Sequence, residues 1–217
     1  MSASRPDLLV VVVGTGTEVG KTWVAAHALR DLRAEGHTVA ARKPAQSFGA
    51  EDRTTDAHVL GAATGEEPTT VCPRHRWYTL AMAPPMAADA LGRPAFAVAD
   101  LAEETVWSDP PPAIGLVETA GGVRSPQAAD GDAVALVEQL EPDLVVLVAD
   151  AGLGTINAVR LTLEAVDRGA HVAERLVVLN RYEPADDLHR RNREWLEGAI
   201  DAEVLTSVPA LVARLRP

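Results

Sequence analysis

Residues 8–22, with the sequence LLVVVVGTGTEVGKT, constrain the possible folds of this chain more than any other stretch. The stretch begins with an apolar run over residues 8–13, which is typical of a buried parallel strand. A turn rich in Gly and Thr follows, then Gly-Lys-Thr, and then a helical pattern from Trp23 onward. A strand, a Gly-rich loop, Lys-Thr and a helix occur in this order in phosphate-binding loops. The sequence therefore predicts such a loop close to the N-terminus.

The predicted loop contains the groups that hold nucleotide phosphates. Its backbone N–H groups and the positive end of the following helix dipole bind phosphate oxygens. We expect Lys21 to reach the β- and γ-phosphates and the Thr22 hydroxyl to bind Mg²⁺. Gly14 and Gly20 are one residue further apart than in the standard motif, so that Thr15 stands where its first glycine is usually found. The alternative interpretation is an ordinary Gly-rich turn after a strand.

Lysine usage points to a second position. The chain has 20 Lys plus Arg residues, of which only Lys21 and Lys43 are lysines. Lysine has a compact ammonium group, whereas arginine has a planar guanidinium group. A lysine in a chain that otherwise uses arginine therefore suggests a specific role. Lys43 ends a strand candidate, and the carboxyl ends of strands are where open α/β sheets bind ligands. We therefore predict that Lys43 belongs to the site, although chance retention is the alternative.

Composition limits the classes of protein to which this chain can belong. Its 217 residues, 47% of them hydrophobic, suit one globular P-loop domain over residues 1–217. The formal net charge is −11 and there is no basic stripe, so we expect no nucleic-acid surface. No apolar run approaches the length of a membrane span, and the N-terminus lacks a signal-peptide pattern. We expect a cytoplasmic protein without a membrane partner, and the single cysteine, Cys72, excludes an internal disulfide.

Strand and helix patterns alternate along the chain. The strand candidates are residues 8–13, 38–43, 113–118, 144–149, 176–180 and 203–205. The helix candidates are residues 21–35, 52–63, 81–91, 132–139, 155–168 and 188–199. This alternation predicts an α/β fold of three layers, with a mostly parallel central sheet and helices on both faces, as in P-loop NTPases. Residues 64–112 are less regular and rich in proline, and we expect loops and short helices there.

Two strand candidates end in a carboxylate that is suited to bind Mg²⁺ beside the threonine hydroxyl. These are Glu118, which precedes Thr-Ala-Gly-Gly, and Asp150, which precedes Ala-Gly-Leu-Gly. We predict that Glu118 is the metal ligand, because Gly121 and Gly122 allow the chain to pass close to a ligand. Asp150 is expected to brace its own loop through backbone N–H groups. Asp56 lies near the start of a helix candidate. The helix dipole favours an acid there, so Asp56 needs no functional role to explain it.

A second helix start follows Asp150. The sequence Gly-Leu-Gly-Thr-Ile-Asn ends at Asn157, so small residues and free N–H donors stand together at Gly154, Thr155 and Ile156. Such a helix start suits an anionic group other than the nucleotide, for example a carboxylate. The alternative is a plain capped turn in which Thr155 is the N-cap.

A series of motifs, in the same order along the chain, resembles those of the dethiobiotin synthetase family. They are GTGTEVGKT at 14–22, KPAQS at 43–47, YTLAMAPPMAADALGRP at 78–94, ETAGG at 118–122 and LGTIN at 153–157. Asp56 also matches an acid of the family after the second motif. The chain differs from the usual family pattern at Gly16, where Asp is common, and at Phe48 and Thr119, where Gly is common. The resemblance covers most of the chain up to Asn180 and is weak beyond it.

The resemblance implies a reaction that uses ATP, Mg²⁺, CO₂ or bicarbonate, and a diamino acid, 7,8-diaminononanoate. One amine captures CO₂ as a carbamate, which attacks the γ-phosphate of ATP to give a carbamic-phosphoric anhydride. The second amine then closes the ureido ring and expels phosphate. The resemblance also implies a homodimer, in which the helix start at 154–157 holds the carboxylate of the substrate in the neighbouring subunit.

The residues that the resemblance assigns to the site fall into four sets. The nucleotide is expected to contact Gly14, Thr15, Gly16, Thr17, Glu18, Val19, Gly20, Lys21, Thr22 and Asn180. Catalysis is expected from Lys21, Lys43, Thr17 and Ser47. The substrate is expected to contact Lys43, Ser47, Gly121, Gly122, Gly154, Thr155, Ile156 and Asn157. The expected metal site consists of Thr22, Asp56 and Glu118.

Other functions are compatible with part of this pattern. An amidating enzyme of the cobyrinate type usually carries a glutaminase domain with a catalytic Cys, and Cys72 lies in no such motif. A partitioning or regulatory ATPase typically has a second Lys near the start of the loop, whereas no Lys precedes Lys21. A related ligase with a different substrate, or a P-loop scaffold without catalysis, would show the same motifs.

Overall fold

The computed structural model describes residues 5–217. Within this part of the chain the strands are β1 (Leu8–Gly14), β2 (Val39–Arg42), β3 (Gln46–Ser47), β4 (Trp77–Tyr78), β5 (Ile114–Glu118), β6 (Pro126–Ala128), β7 (Gly131–Asp132), β8 (Leu144–Asp150), β9 (Glu174–Asn180) and β10 (Glu203–Leu205). The helices are α1 (Lys21–Ala34), α2 (Asp56–Thr64), α3 (Pro68–Val71), α4 (Pro84–Ala90), α5 (Val98–Glu103), α6 (Ala133–Leu140), α7 (Thr155–Gly169), α8 (Asp187–Ala199) and α9 (Val208–Leu215). A 3₁₀ turn, Arg74–Arg76, lies between α3 and β4.

Six of the described strands form a central sheet in the order β10-β9-β8-β1-β5-β2, and every neighbouring pair is parallel. β1 lies between β8 and β5, where Val10 is opposite both Leu144 and Leu116. The other described strands form two small pairs, β3 with β4 and β6 with β7. The predicted α/β fold with a parallel sheet between helices is confirmed. Because the strands are parallel, their carboxyl ends gather at one edge.

The side chains of β1 alternate between two hydrophobic cores. Val10 and Val12 pack with residues of α1, α2 and α9, whereas Leu9, Val11 and Val13 pack with residues of α7 and α8. All of them are buried, because helices cover both faces of the sheet. Burial of each valine contributes about 1.5–3 kcal/mol relative to its exposure to water. The phosphate-binding loop therefore begins at the end of a firmly packed strand.

Some predicted helix boundaries are wrong for local reasons. α2 begins at Asp56 rather than at residue 52, because Asp52 accepts a hydrogen bond from the backbone N–H of Gly49 and Thr55 is the N-cap. α4 begins at Pro84 rather than at residue 81, since proline is well suited to the first turn of a helix. The strand candidates agree with the observed strands of the central sheet to within a few residues.

α9 is a described helix that is absent from the predicted elements. Its buried residues repeat at helical spacing, and they are Val208, Leu211, Val212 and Leu215. This face packs against α1 and extends the core beneath the loop. Residues 64–112 contain the short helices that the sequence predicts. No helix within residues 5–217 is long and apolar enough to cross a membrane.

Candidate active site

The phosphate-binding loop joins β1 to α1 and is packed around Lys21. Gly20 is the N-cap of α1 and has φ of 93°, in the left-handed region that favours glycine. The buried Lys21 ammonium donates a hydrogen bond to the carbonyl of Gly16 at 3.0 Å. A Cβ atom at Gly14 would lie only 2.9 Å from Cδ of Lys21. Position 14 therefore requires glycine because the Lys21 side chain lies so close to it, and position 20 requires glycine because its backbone is left-handed.

Two side chains at the end of β9 hold the loop in place. Asn180 Nδ2 donates to the carbonyl of Val19 at 3.0 Å, and Arg181 donates to the carbonyl of Glu18 at 3.0 Å. We call these two hydrogen bonds the loop strap. A Cβ atom at Gly20 would lie 2.1 Å from Asn180 Nδ2, so the strap depends on that glycine. Asn180 is a predicted nucleotide contact, whereas no pattern in the sequence points to Arg181.

Side chains from four parts of the chain meet beside the loop in what we call the charge cluster, formed by Thr22, Lys43, Asp56 and Glu118. Lys43 Nζ lies 2.5 Å from Glu118 Oε1 and 2.8 Å from Asp56 Oδ2. The Thr22 hydroxyl lies 2.8 Å from Glu118 Oε1 and 3.0 Å from Asp56 Oδ1. Lys43 and Glu118 are only 2% and 1% exposed. The structure thus brings together the expected metal ligands and one expected catalytic lysine.

The charges of the cluster shift the pKa values of its members. Burial alone would lower the pKa of Lys43, but the carboxylates of Glu118 and Asp56 raise it above its ordinary value. The Lys43 ammonium in turn lowers the pKa of Asp56. Burial raises the pKa of Glu118, while the short contact with Lys43 opposes this effect and favours an ionised pair. Burial, followed by repulsion from Lys43, lowers the pKa of Lys21 to about 8.

One oxygen of the cluster is unsatisfied. Glu118 Oε2 is buried and has no hydrogen-bond partner among the described residues. A buried polar atom without a partner is costly, so a cation that contacts this oxygen would stabilise the site. With the Thr22 hydroxyl and the Asp56 carboxylate it forms the oxygen donor set that Mg²⁺ prefers. No group of three or more His, Cys, Asp or Glu side chains within residues 5–217 is placed to hold a metal ion.

Asp150 lies outside the charge cluster and braces the loop after β8. Its Oδ1 accepts a hydrogen bond from the backbone N–H of Gly152 at 2.8 Å, in agreement with its expected role. Its Oδ2 forms an ion pair with Arg181 at 3.2 Å, so the same arginine joins this loop to the phosphate-binding loop. Asn192 of α8 adds hydrogen bonds of 2.9 Å to the carbonyls of residues 151 and 152.

The start of α7 is built differently from a side-chain-capped turn. Gly154 is the N-cap, with φ of 90° and no side-chain hydrogen bond, so the alternative interpretation with Thr155 as the cap is wrong. The Thr155 hydroxyl is buried and has no partner among the described residues. Ile156 is half-buried and Asn157 is exposed. The first turn thus leaves N–H donors and a hydroxyl without intrahelical partners, which suits an anion.

The three departures from the usual family pattern do not crowd the site. Thr119 is fully buried, and its hydroxyl donates to the carbonyl of Val12 at 3.2 Å, between β5 and β1. Phe48 packs edge-on against Trp77, with ring centroids 6.0 Å apart, and contacts the core. A Cβ atom at Gly16 would meet one atom within 4 Å, at 3.9 Å. The departures are therefore compatible with an intact site.

The remaining predicted residues have contacts of their own. Ser47 donates its hydroxyl hydrogen to the carbonyl of Met82, a partner outside the charge cluster. Thr17 is exposed on the phosphate-binding loop. Gly121 has φ of 66°, and a Cβ atom at Gly122 would lie 3.3 Å from the backbone of the loop. The glycine pair thus lets the segment after β5 lie against the phosphate-binding loop.

A groove of about 650 Å³ lies beside the phosphate-binding loop, between α1 and the ends of β9 and β10. Gly20 and Asn180, two expected nucleotide contacts, line it. Trp23 and Tyr182 also line it, together with residues 206–209, and none of these belongs to a functional motif of the sequence. A nucleotide whose phosphates occupy the loop would extend its nucleoside into this groove, which we call the nucleoside groove.

The fold and the loop define a P-loop nucleotide-binding protein, and a family model described as an AAA domain matches residues 9–213. The chain is 35% identical over 206 residues to ATP-dependent dethiobiotin synthetase BioD of Haloferax mediterranei, covering 94% of this chain and 84% of that protein. It is 40% identical over 181 residues to the protein of the same name from Anaeromyxobacter dehalogenans, covering 81% and 78%. The chain belongs to the dethiobiotin synthetase family, which confirms the resemblance seen in its motifs.

A comparison of folds finds proteins of similar structure but very different sequence. A plasmid partition protein from Borrelia burgdorferi has a similar structure, with a TM-score of 0.59 over 97% of this chain and 96% of that chain. The two sequences are only 10% identical. This similarity shows a shared P-loop fold and carries no argument about function.

We predict that Gly20→Ala destabilises the protein while Gly16→Ala does not. An alanine at position 20 would adopt a left-handed backbone conformation and collide with Asn180, which should cost more than about 1 kcal/mol of unfolding free energy. The space around Gly16 should keep the effect of its substitution below about 0.5 kcal/mol. Denaturant unfolding of both variants measures the difference. Equal stabilities would contradict the described packing of the loop.

Proposed function

We propose that the protein is an ATP-dependent dethiobiotin synthetase, a ligase that closes the ureido ring of 7,8-diaminononanoate with CO₂. The observation that carries the proposal is the buried charge cluster directly beside the phosphate-binding loop. Its one lysine, threonine hydroxyl and two carboxylates, together with Lys21 of the loop, provide positive charge and oxygen ligands around the expected position of the γ-phosphate. The names of the curated relatives support the same activity.

The proposed chemistry needs positive charge where two anions meet. One substrate amine adds to CO₂ and loses a proton, and an oxygen of the resulting carbamate attacks the γ-phosphorus as ADP leaves. The second amine then attacks the carbamoyl carbon, loses a proton, and phosphate departs as the ring closes. Lys21 and Lys43 reduce the repulsion between carbamate and γ-phosphate, which is strong in a site shielded from water. Thr17 and Ser47 are the proposed hydrogen-bond donors to these groups.

Thr22, Asp56 and Glu118 are the side chains that would hold Mg²⁺. The unpartnered Glu118 Oε2 and the adjacent Thr22 hydroxyl fit such an ion. When bound, Mg²⁺ neutralises charge on the β- and γ-phosphates. Lys43 neutralises Glu118 and Asp56 in the same cluster, and its ammonium is the proposed second positive charge for the γ-phosphate.

The start of α7 is the proposed binding site for the substrate carboxylate. Free N–H groups, the buried Thr155 hydroxyl and the helix dipole together favour an anion there. Leu153 beside it is 92% exposed, and a second subunit lying against this turn would cover its side chain. We therefore propose a homodimer in which each α7 binds the substrate of its neighbour through Gly154, Thr155, Ile156 and Asn157. The other proposed substrate contacts are Lys43, Ser47, Gly121 and Gly122.

The chain is also proposed to act as one P-loop domain in the cytoplasm, with small molecules and a second copy of itself as partners. A partitioning or regulatory ATPase is the runner-up function, but only the fold similarity at 10% identity is in its favour. A related ligase with a different substrate is the other alternative, and it would show the same motifs.

The direct test is product formation with purified protein. ATP, Mg²⁺, bicarbonate and 7,8-diaminononanoate should yield a cyclic urea by mass spectrometry, together with ADP and phosphate in equal amounts. Omission of the diamine is the control for background ATP hydrolysis. Phosphate release that is independent of the diamine, with no cyclic urea, would exclude the synthetase.

We predict that Lys43→Arg lowers kcat by about a hundredfold or more, because the compact ammonium contacts a charge that develops in the transition state. Lys43→Ala should have a similar effect on kcat and should also destabilise the fold by about 3–5 kcal/mol, since it leaves Glu118 unpaired in the interior. Steady-state kinetics and denaturant unfolding separate the two effects. Wild-type turnover in folded Lys43→Arg would show that the lysine is only structural.

We predict that Glu118→Gln weakens the binding of Mg²⁺, and so changes the Mg²⁺ requirement of the activity, far more than Asp150→Asn does. Glu118 has an unpartnered oxygen beside Thr22, whereas both oxygens of Asp150 have protein partners. Titration of activity and of nucleotide affinity with Mg²⁺ gives the comparison. A larger shift in the Mg²⁺ requirement for Asp150→Asn would overturn the assignment of the metal ligand.

A further inference from the structure

The nucleoside groove has an aromatic side chain that no motif explains. Trp23 follows the threonine of the phosphate-binding loop and lies on the first turn of α1. Its side chain is 51% exposed, although most of the residues around it on α1 are buried. It shares the groove with Gly20 of the phosphate-binding loop and with Asn180, which donates a hydrogen bond to that loop.

Trp23 is supported from behind by the next turn of α1. The rings of Trp23 and His27 have centroids 4.0 Å apart and are inclined by 31°. His27 Nδ1 also lies 2.8 Å from the carbonyl of Trp23, which it contacts as a hydrogen-bond donor. The indole therefore rests on a partner within its own helix, while a large part of its surface faces open space.

Polar contacts hold the other side of the groove next to the phosphate-binding loop. Tyr182 lines it and is half-buried. The preceding residue, Arg181, is in a left-handed conformation with φ of 57° and is tied to Asp150 and to the carbonyl of Glu18. The residue before Tyr182 is thus tied to the same loop that is expected to hold the phosphates.

We propose that Trp23 stacks against the base of the bound nucleotide and contributes affinity that depends little on which base is present. This inference rests on the proposed nucleotide-binding role of the loop. Every base has a flat π-face, so an aromatic platform binds bases with little discrimination and contributes about tenfold or more in affinity. Trp23 therefore sets how tightly a nucleoside is held, while hydrogen bonds elsewhere in the groove set which base is preferred.

The test compares Trp23→Ala and Trp23→Phe with wild-type protein, using Mg·ATP and Mg·GTP in calorimetric titrations without diamine. Trp23→Ala should raise both dissociation constants by about tenfold or more, while Trp23→Phe retains a ring and should stay within about threefold. In steady-state assays Trp23→Ala should raise the KM for ATP and leave kcat nearly unchanged. Trp195→Ala is the matched control, because Trp195 is 44% exposed and does not line the groove.

Fluorescence gives a readout that is independent of catalysis. The chain contains four tryptophans, and binding of Mg·ATP should change indole emission in wild type and in Trp195→Phe but not in Trp23→Phe. Unchanged affinity for both nucleotides in folded Trp23→Ala would overturn the inference, as would a loss confined to ATP. If wild-type protein forms no cyclic urea but binds nucleotide through Trp23, the proposed function fails and this inference stands.

Discussion

The contact between Lys43 and Glu118 is the constraint on which the rest of the site depends. Both side chains are almost completely buried, and their charged atoms are 2.5 Å apart. Charges taken so far from water need a close partner, so the ends of β2 and β5 are held at a fixed distance. Asp56 and Thr22 complete the contact and fix the starts of α2 and α1. One ion pair thereby positions four elements around the expected γ-phosphate.

Much of the fold follows from the sequence because each buried strand is a short apolar run between turn residues. The parallel sheet with helices on both faces follows from the alternation of these strands with helices, whereas the order of the strands in the sheet is known only from the structure. α9 is absent from the predicted elements although its apolar spacing is visible in the sequence. The start of α2 is predicted too early because Asp52 and Asp56 look alike as helix-start acids. Only the observed turn, in which Asp52 bonds to Gly49, distinguishes them.

The site is predictable where chemistry requires a particular residue type, as at Lys21 and Thr22 in the loop. Its geometry is not, because hydrogen bonds such as that between Thr119 and Val12 join residues far apart in the sequence. Thr119 stands at a family position that is usually glycine, and the structure shows its buried hydroxyl donating to the carbonyl of Val12. Arg181 shows the same limit, since nothing in its neighbourhood along the chain points to the loop that it holds.

The loop strap has a consequence for the direction of the peptide groups in the loop. In a trans peptide group the N–H points opposite to the C=O. The carbonyl of Glu18 is turned toward Arg181 and the carbonyl of Val19 toward Asn180. The N–H groups that follow these two carbonyls therefore point the other way. Those N–H groups then face the interior of the loop before any anion arrives. The conformational entropy of arranging them is lost when the chain folds and not when the nucleotide binds, so more of the interaction energy with phosphate appears as affinity.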